Sequence, residues 1–246
     1  YEKIHHPFIP KFYGTVKDDY SDFIIIEFIN GQTLDNYHFD GYNLNDIIML
    51  IYKLLLIVEY FHCNDLLIRD MKPNNLMITE QKDIVMIDFD RVIDESTQMH
   101  SHDLNNIFAA PEVKTKESYS KKSDIYTLGK VIEYLLKKFN PKINISSIDN
   151  IIEQCFQETA EQRPLINKII DNFSNKIPDI LFECFVSNKT RISSYILSVL
   201  SITNNPSVQN NLAGIYYTGE YIKRDINKAI YYFSLASNQN NPLAQY

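Results

Sequence analysis

Asp70, Lys72 and Asn75 stand at fixed offsets within the stretch IRDMKPNN, residues 68–75. Thirteen residues past Asn75, the apolar run IVMI ends at Asp88, followed by Phe89 and Asp90. Each residue type suits one task at an anionic substrate. An Asp carboxylate accepts a proton from an attacking hydroxyl. A Lys ammonium neutralises charge on phosphate oxygens. An Asn oxygen and an Asp carboxylate are hard donors of the kind Mg2+ prefers. Together the four residues suit the handling of a polyphosphate beside a nucleophile.

Rigid elements must flank such a set. Asn43-Leu44-Asn45-Asp46 supplies helix-start chemistry, and apolar residues then recur at i+3 and i+4 as far as Phe61, as in a largely buried helix. LMI (76–78) and IVMI (84–87) predict two strands whose hairpin carries Asn75 on one arm and Asp88 on the other. FIIIEF, residues 23–28, is an unbroken β-rich run between Asp22 and Asn30-Gly31 and predicts a buried strand. Residues 1–6 read as a helix end closed by Pro7. Lys121 to Lys138 predicts a helix with Ser120 as its cap. His62 reads as a structural histidine at a helix end. His5, His6, His38, His100 and His102 show no partner pattern.

Composition sets limits. With 246 residues, 45% hydrophobic and 22% charged, the chain can bury a core and is long enough for one large domain or one and a half. A net charge of −7 argues against a broad nucleic-acid or membrane-surface footprint. Cys63, Cys155 and Cys184 are scattered without metal spacing, and their odd number suits reduced thiols and a cytoplasmic protein. No secretory signal is visible. The longest apolar stretch, 47–61, contains Lys53 and Glu59 and is too short to span a bilayer. The chain begins at Tyr1 rather than Met and stops inside a patterned segment, which reads as part of a longer protein.

The motifs carry a family resemblance. IRDMKPNN resembles the catalytic loop of eukaryotic protein kinases, H-R-D-L-K-P-x-N; Asp88-Phe89-Asp90 resembles D-F-G; Ala110-Pro111-Glu112 matches A-P-E. The intervals are also similar: 18 residues from Asp70 to Asp88, 24 to Glu112 and 12 more to Asp124. HPFIPKFYGTV resembles the passage from helix C into the fourth strand. The resemblance implies an α+β kinase-like fold over residues 1–175, mostly its helical C-lobe with a partial N-lobe. It implies transfer of the ATP γ-phosphoryl group to a protein hydroxyl. Asp70 would orient and deprotonate the hydroxyl, Lys72 would steady the γ-phosphate, and Asn75 and Asp88 would hold Mg2+. Ile26 would be the gatekeeper, and Glu27 to Ile29 would offer backbone groups to adenine. Lys72 resembles the serine/threonine class, and the Cys155-Phe156…Arg163-Pro164 ending resembles the tyrosine-kinase-like subgroup. Asp124 would bond the backbone of the catalytic loop, and Arg163 would pair with Glu112. Only 39 residues separate Asp124 from Arg163, so the helix G region should be short. Residues 88–112 resemble an activation segment, with Ser96, Thr97 and Ser101 as hydroxyls and Arg69 as the arginine that can read a phosphate there.

Several departures matter. Ile68 replaces the catalytic-loop His, Asp90 replaces the Gly of D-F-G, and Asn105 stands where a Thr is usual. The glycine-rich loop, the strand lysine and the helix-C glutamate would lie upstream of residue 1, Glu2 being too close to His6-Pro7, so residues 1–246 alone are expected to transfer no phosphate. The alternative to an enzyme is a pseudokinase that acts as a protein-binding scaffold. Residues 176–205 read as a connector, helical in part from Ile192 to Leu200. From about residue 206, Leu212, Ala213, Tyr216, Gly219, Asp225, Ala229, Tyr232 and Ala236 form a small-and-aromatic pattern, and Ala244 matches Val208 at a period of 36. This resembles the Sel-one-like repeat, a relative of the tetratricopeptide repeat, and implies protein partners and further repeats; an ordinary helical hairpin is the alternative. Protein substrates with Ser/Thr, protein partners of the repeats, and no nucleic acid or membrane are therefore expected.

Overall fold

A computed structural model of the chain describes residues 4–18, 21–97, 107–115, 119–143, 145–176, 206–219 and 224–238. The chain divides into two compact units, Tyr1–Ile170 and Asp171–Tyr246. Short strands precede and surround one long helix in the first unit, and helices follow, which is the expected α+β arrangement.

The core of the first unit is α1, Leu44–Cys63. Asn43 caps it: its side chain accepts the Asp46 amide, and the Asp46 carboxylate accepts the Asn43 amide in return. From Ile47 to Val58 every residue is buried, including Lys53. Each apolar side chain fully buried there contributes roughly 1.5–3 kcal/mol, so α1 is the fixed axis of the domain. Lys53 is tolerated because its ammonium reaches the Asp83 carboxylate at 2.5 Å and the Lys82 carbonyl at 2.9 Å. That contact pins the turn of the β5–β6 hairpin (β5 Leu76–Thr79, β6 Ile84–Met86) onto the helix.

β3, Gly31–Thr33, pairs with β5 on its other edge. Gly31 is needed there, since a Cβ would run into the Ile78 carbonyl. β4 (Leu66–Leu67) pairs antiparallel with β7 (Ile93–Asp94), which brings the stretch after Asp88 back beside the entry to residues 68–75. Pro111–Lys114 forms α2, and α3 spans Lys121–Phe139 with Ser120 as its cap. α4 begins at Ser146, so residues 140–145 separate it from α3. α5 is Ile166–Lys176.

Two local expectations fail. Residues 4–6 are not helical. Pro7 disfavours helical backbone at His6, and a tight turn follows at Pro7–Ile9. The run FIIIEF does form a strand, β2 (Asp22–Ile26), paired antiparallel with β1 (Phe12–Lys17). It is not buried: Phe23, Ile24 and Ile25 are about half exposed. The two strands pair only with each other, so neither outer edge of this ribbon is extended by a further strand among the described residues.

In the second unit, α6 (Pro206–Thr218) and α7 (Ile226–Asn238) pack on each other. Leu212, Ala213, Tyr216, Ala229, Tyr232 and Ala236 are all buried, and the Tyr216 and Tyr232 rings stack at 5.7 Å. Gly219 ends the first helix with φ +69°, a left-handed value. Asp225 starts the second by accepting the Lys228 amide. Ile192–Leu200, Ser101, Asn105, Cys184 and Ala244 lie outside the described residues.

A bidentate ion pair closes the first unit. Arg163, 1% exposed, donates to both Glu112 oxygens at 2.7 and 2.9 Å and to the carbonyls of Gln157, Lys122 and Glu158. Burial alone would raise the Glu112 carboxyl, but hydrogen bonds from Arg163 and Ser123 outweigh it and hold it below the usual range. Arg163→Ala leaves the largely buried Glu112 carboxylate without its counter-charge, with Ser123 still donating to it, and chemical denaturation is expected to show a loss of roughly 3–5 kcal/mol. A loss under about 1 kcal/mol, the worth of an exposed pair, contradicts this.

His6 gives a pH signature. Its Nδ1 accepts the Phe8 amide at 3.2 Å, and its ring lies against Phe8 and Tyr60. Burial pushes its imidazole down to about 4 from 6.5. As pH falls below about 6.5 the unfolded chain takes up a proton that the folded chain refuses, so stability falls until pH reaches about 4. Denaturation midpoints measured across that window should show this slope, and His6→Gln should flatten it.

Candidate active site

The segment 68–75 leaves β4 and is held from beneath by one carboxylate. Asp124, 1% exposed on the first turn of α3, accepts the Ile68 amide at 2.9 Å and the Arg69 amide at 3.0 Å. Its oxygens also meet the Tyr119 hydroxyl at 2.6 Å and His62 Nε2 at 3.1 Å. Burial, and then the Asp124 charge, push the Tyr119 hydroxyl well above its ordinary range, so Tyr119 remains the donor. Arg69 takes a left-handed φ of +68°, unusual for a residue with a Cβ. The bond from its amide to Asp124 holds that conformation. His62 is therefore structural, linking the end of α1 to α3.

Above this anchor the three polar residues of the segment meet. Lys72 Nζ lies 2.7 Å from Asp70 Oδ2. Asn75 donates its amide group to the Asp70 carbonyl at 3.0 Å and to Asp70 Oδ2 at 3.1 Å. Asp70 and Asn75 are buried, and Lys72 is partly exposed. The Asn75 amide nitrogen is thus committed, and its side-chain oxygen is the atom that could face a cation. Pro73–Asn75 form one 3-10 turn, and Leu76 then enters β5.

Asp88 arrives from the paired strand. Leu76 faces Met86 across the hairpin, and the Ile87 amide donates to the Asn75 carbonyl at 3.0 Å. Asp88 therefore follows directly on the residue bonded to Asn75. One of its oxygens accepts the Asp90 amide at 3.1 Å. Phe89 is buried and stacks on Phe61 of α1 at 5.8 Å. The donor set at this end of the hairpin is two hard oxygen groups, Asn75 and Asp88, which fits a cation completed by phosphate oxygens and water. Among the described residues no group of three or more His, Cys, Asp or Glu could hold a metal ion without such help.

The substitutions at Ile68 and Asp90 are accommodated locally. Ile68 is 1% exposed, a buried core residue. Asp90 is exposed, and it is not among the described non-glycine residues with positive φ, which are Asp65, Arg69 and Lys82. Its backbone therefore needs no glycine. Asn105 lies outside the described residues.

Ile26, Glu27 and Ile29 lie at the end of β2 and just beyond it, each half-buried. The Glu27 amide is spent on the Lys11 carbonyl at 2.8 Å. That leaves the Glu27 carbonyl and the Ile29 backbone as the hinge groups to consider for a ligand. From here the chain enters β3, which pairs with β5 in the sheet that carries Asn75. Two participants are absent from the sequence reading. Tyr119 supports Asp124 from five residues away, and Arg91 places Nε 3.9 Å from Asp70 Oδ2. Arg91 directly follows Asp88-Phe89-Asp90, and that adjacency is the only sequence signal for it.

The family profile described as protein kinase domain matches residues 1–202, and the one described as Sel1 repeat matches residues 206–241. Among curated proteins the chain is similar to the cAMP-dependent protein kinase, catalytic subunit-like protein of Caenorhabditis briggsae, 28% identical over 61% of this chain and 40% of that protein. It is similar to the serine/threonine-protein kinase Nek10 of Mus musculus, 23% identical over 74% of this chain and 19% of that protein. It is also similar to the mitogen-activated protein kinase kinase kinase mom-4 of Caenorhabditis elegans, 25% identical over 70% of this chain and 33% of that protein. The chain thus spans less than half the length of these relatives. Their names do not single out the tyrosine-kinase-like subgroup. The ordered motifs, the Asp124-anchored loop and the match over residues 1–202 agree: the chain belongs to the protein kinase domain family, followed by a Sel1 repeat.

Proposed function

We propose that the protein transfers the γ-phosphoryl group of Mg2+-ATP to a serine or threonine hydroxyl of a protein substrate. The observation that carries this reading is the contact of Lys72 and Asn75 with one carboxylate, that of Asp70, at the open end of the hairpin that leads to Asp88. Asp70 would receive the acceptor hydroxyl and its proton. Lys72 would leave its ion pair with Asp70 to meet the γ-phosphate. Asn75 and Asp88 would hold Mg2+, which supplies charge neutralisation of the phosphates when bound. Ile26 and the backbone of Glu27 and Ile29 would border the adenine. The preference for Ser/Thr rests on Lys72 two residues after Asp70, the pattern of that kinase class.

The domain reading belongs to the same proposal: a kinase domain over 1–175, a connector over 176–205, and a repeat segment from 206. In that segment the exposed Tyr217, Ile230 and Tyr231 offer apolar area to protein partners. No helix among the described residues is long and apolar enough to cross a membrane. The unpaired Cys63 and Cys155 suit a reducing, cytoplasmic setting. A scaffold without catalysis is the second reading, and it rests on the Asp90 and Asn105 substitutions.

Radiolabelled phosphate transfer from Mg2+-ATP to Ser, Thr and Tyr peptides by the whole protein separates these readings. Transfer to Ser/Thr is expected, and Asp70→Asn should lower turnover by at least about 100-fold, the usual worth of a positioned base. Asp88→Asn should remove the response to added Mg2+. A protein that neither binds ATP nor transfers phosphate decides for the scaffold, and transfer that survives Asp70→Asn rules out the assigned base.

A further inference from the structure

Tyr119 touches two parts of the first unit at once. Its hydroxyl donates to Asp124 Oδ1 at 2.6 Å, the oxygen that also accepts the Arg69 amide at 3.0 Å. The Arg69 guanidinium lies over the Tyr119 ring, 5.7 Å from its centre. On the other side the ring packs against the buried cluster of Ala109, Ala110 and Val113, around the start of α2. The Thr127 hydroxyl, 3.2 Å from the Phe108 carbonyl, reaches the Tyr119 hydroxyl as well. The segment 108–113 and the catalytic loop therefore share one side chain.

The two oxygens of Asp124 are served differently. Oδ2 meets the Ile68 amide and His62 Nε2, and Oδ1 meets the Arg69 amide and the Tyr119 hydroxyl. Rotation of the carboxylate would break bonds at both oxygens, so His62 and Tyr119 together lock its orientation. The backbone strain lies on the Tyr119 side. Arg69 carries the left-handed φ of +68°, and Asp70, whose carboxylate meets Lys72 and Asn75, follows it directly. A residue held in that conformation relaxes when its restraint weakens.

We propose that Tyr119 is a positioning residue for phosphoryl transfer: through Asp124 Oδ1 it sets the backbone at Arg69 and thereby the placement of Asp70, and through its ring it ties that placement to the segment 108–113. The part played in transfer rests on the reading of Asp70 as the base. The hydroxyl performs the first task and the ring the second, so substitution can separate them. A hydrogen bond to a charged acceptor is the strong kind, and its loss should be felt first at the amide that shares its oxygen.

Amide hydrogen exchange on the whole protein reads both tasks and needs no turnover. Tyr119→Phe keeps the ring and removes the donor. The Arg69 amide should then exchange about tenfold faster, the scale of one hydrogen bond to a charged group. The Ile68 amide, held on Oδ2, should change by less than about threefold. The Val113 amide, bonded to the Ala110 carbonyl, should keep its rate. Tyr119→Leu removes ring and hydroxyl, and there the Arg69 and Val113 amides should quicken together. A merely structural Tyr119 would shift Ile68, Arg69 and Val113 alike in both variants. That result, or an Arg69 amide unchanged in Tyr119→Phe, overturns the proposal. Phosphate transfer is measured in parallel, and Tyr119→Phe should lower kcat about tenfold while KM for ATP stays within about twofold. An unchanged kcat beside a faster Arg69 amide overturns the positioning role. Absence of transfer by the unsubstituted protein sinks the kinase reading alone, and the exchange pattern then decides whether Tyr119 sets the loop.

Discussion

A single buried carboxylate, that of Asp124, holds the rest of the active region in register. Burying an ionised carboxylate costs several kcal/mol unless its lone pairs are filled. Here four groups meet it: the amides of Ile68 and Arg69, the Tyr119 hydroxyl and the His62 ring. These groups come from the end of α1, the catalytic loop and the residue before the α3 cap, and they meet on a carboxylate carried by α3. The loop can therefore adopt only the backbone path that presents two successive amides to one point. The left-handed Arg69 is the visible cost of that path. Phosphoryl transfer, the reaction proposed above, would leave the protein little covalent work to do, and a loop fixed in this manner would suit it.

The second buried pair, Glu112 with Arg163, performs the same kind of task further along the chain. It joins α2 to the segment before α5, and Ser123 of α3 donates to the same carboxylate. Asp124 and Ser123, which donates to Glu112, thus sit side by side on the first turn of α3. The capping box at Ser120 sets where that turn begins. Helix start, loop anchor and ion-pair anchor fall within five residues of sequence, 120–124. An error in the start of α3 would displace both anchors together.

Much of this was legible in the residues. The Asn43 and Ser120 caps, the burial of 47–61 and the hairpin joining Asn75 to Asp88 follow from capping chemistry and apolar periodicity, which are local signals. So does the pairing of α6 and α7 through small residues and the Tyr216–Tyr232 stack. Other features depend on what lies across the fold. FIIIEF looks buried because an unbroken apolar run usually is, yet its exposure depends on which strands cover it. Lys53 looks like an interruption of α1 until Asp83 arrives beside it. Tyr119 and Arg91 have no spacing rule that announces them. Each acts through a tertiary partner, Asp124 in one case and Asp70 in the other. The tolerance of Asp90 was equally invisible, since it depends on a φ value that residue type alone does not give.

If Asp124 is the anchor described here, its removal should loosen the catalytic loop while leaving the helices folded. Amide hydrogen exchange in Asp124→Leu tests this directly, because it reads the two bonds themselves and does not depend on catalysis. The amides of Ile68 and Arg69 should be protected in the native protein and exchange at least about tenfold faster in the variant, as expected for local opening below the global limit. Amides in the middle of α1 and α3 should keep their protection. Ile68 and Arg69 amides that stay protected in Asp124→Leu would mean that the loop is held by something else.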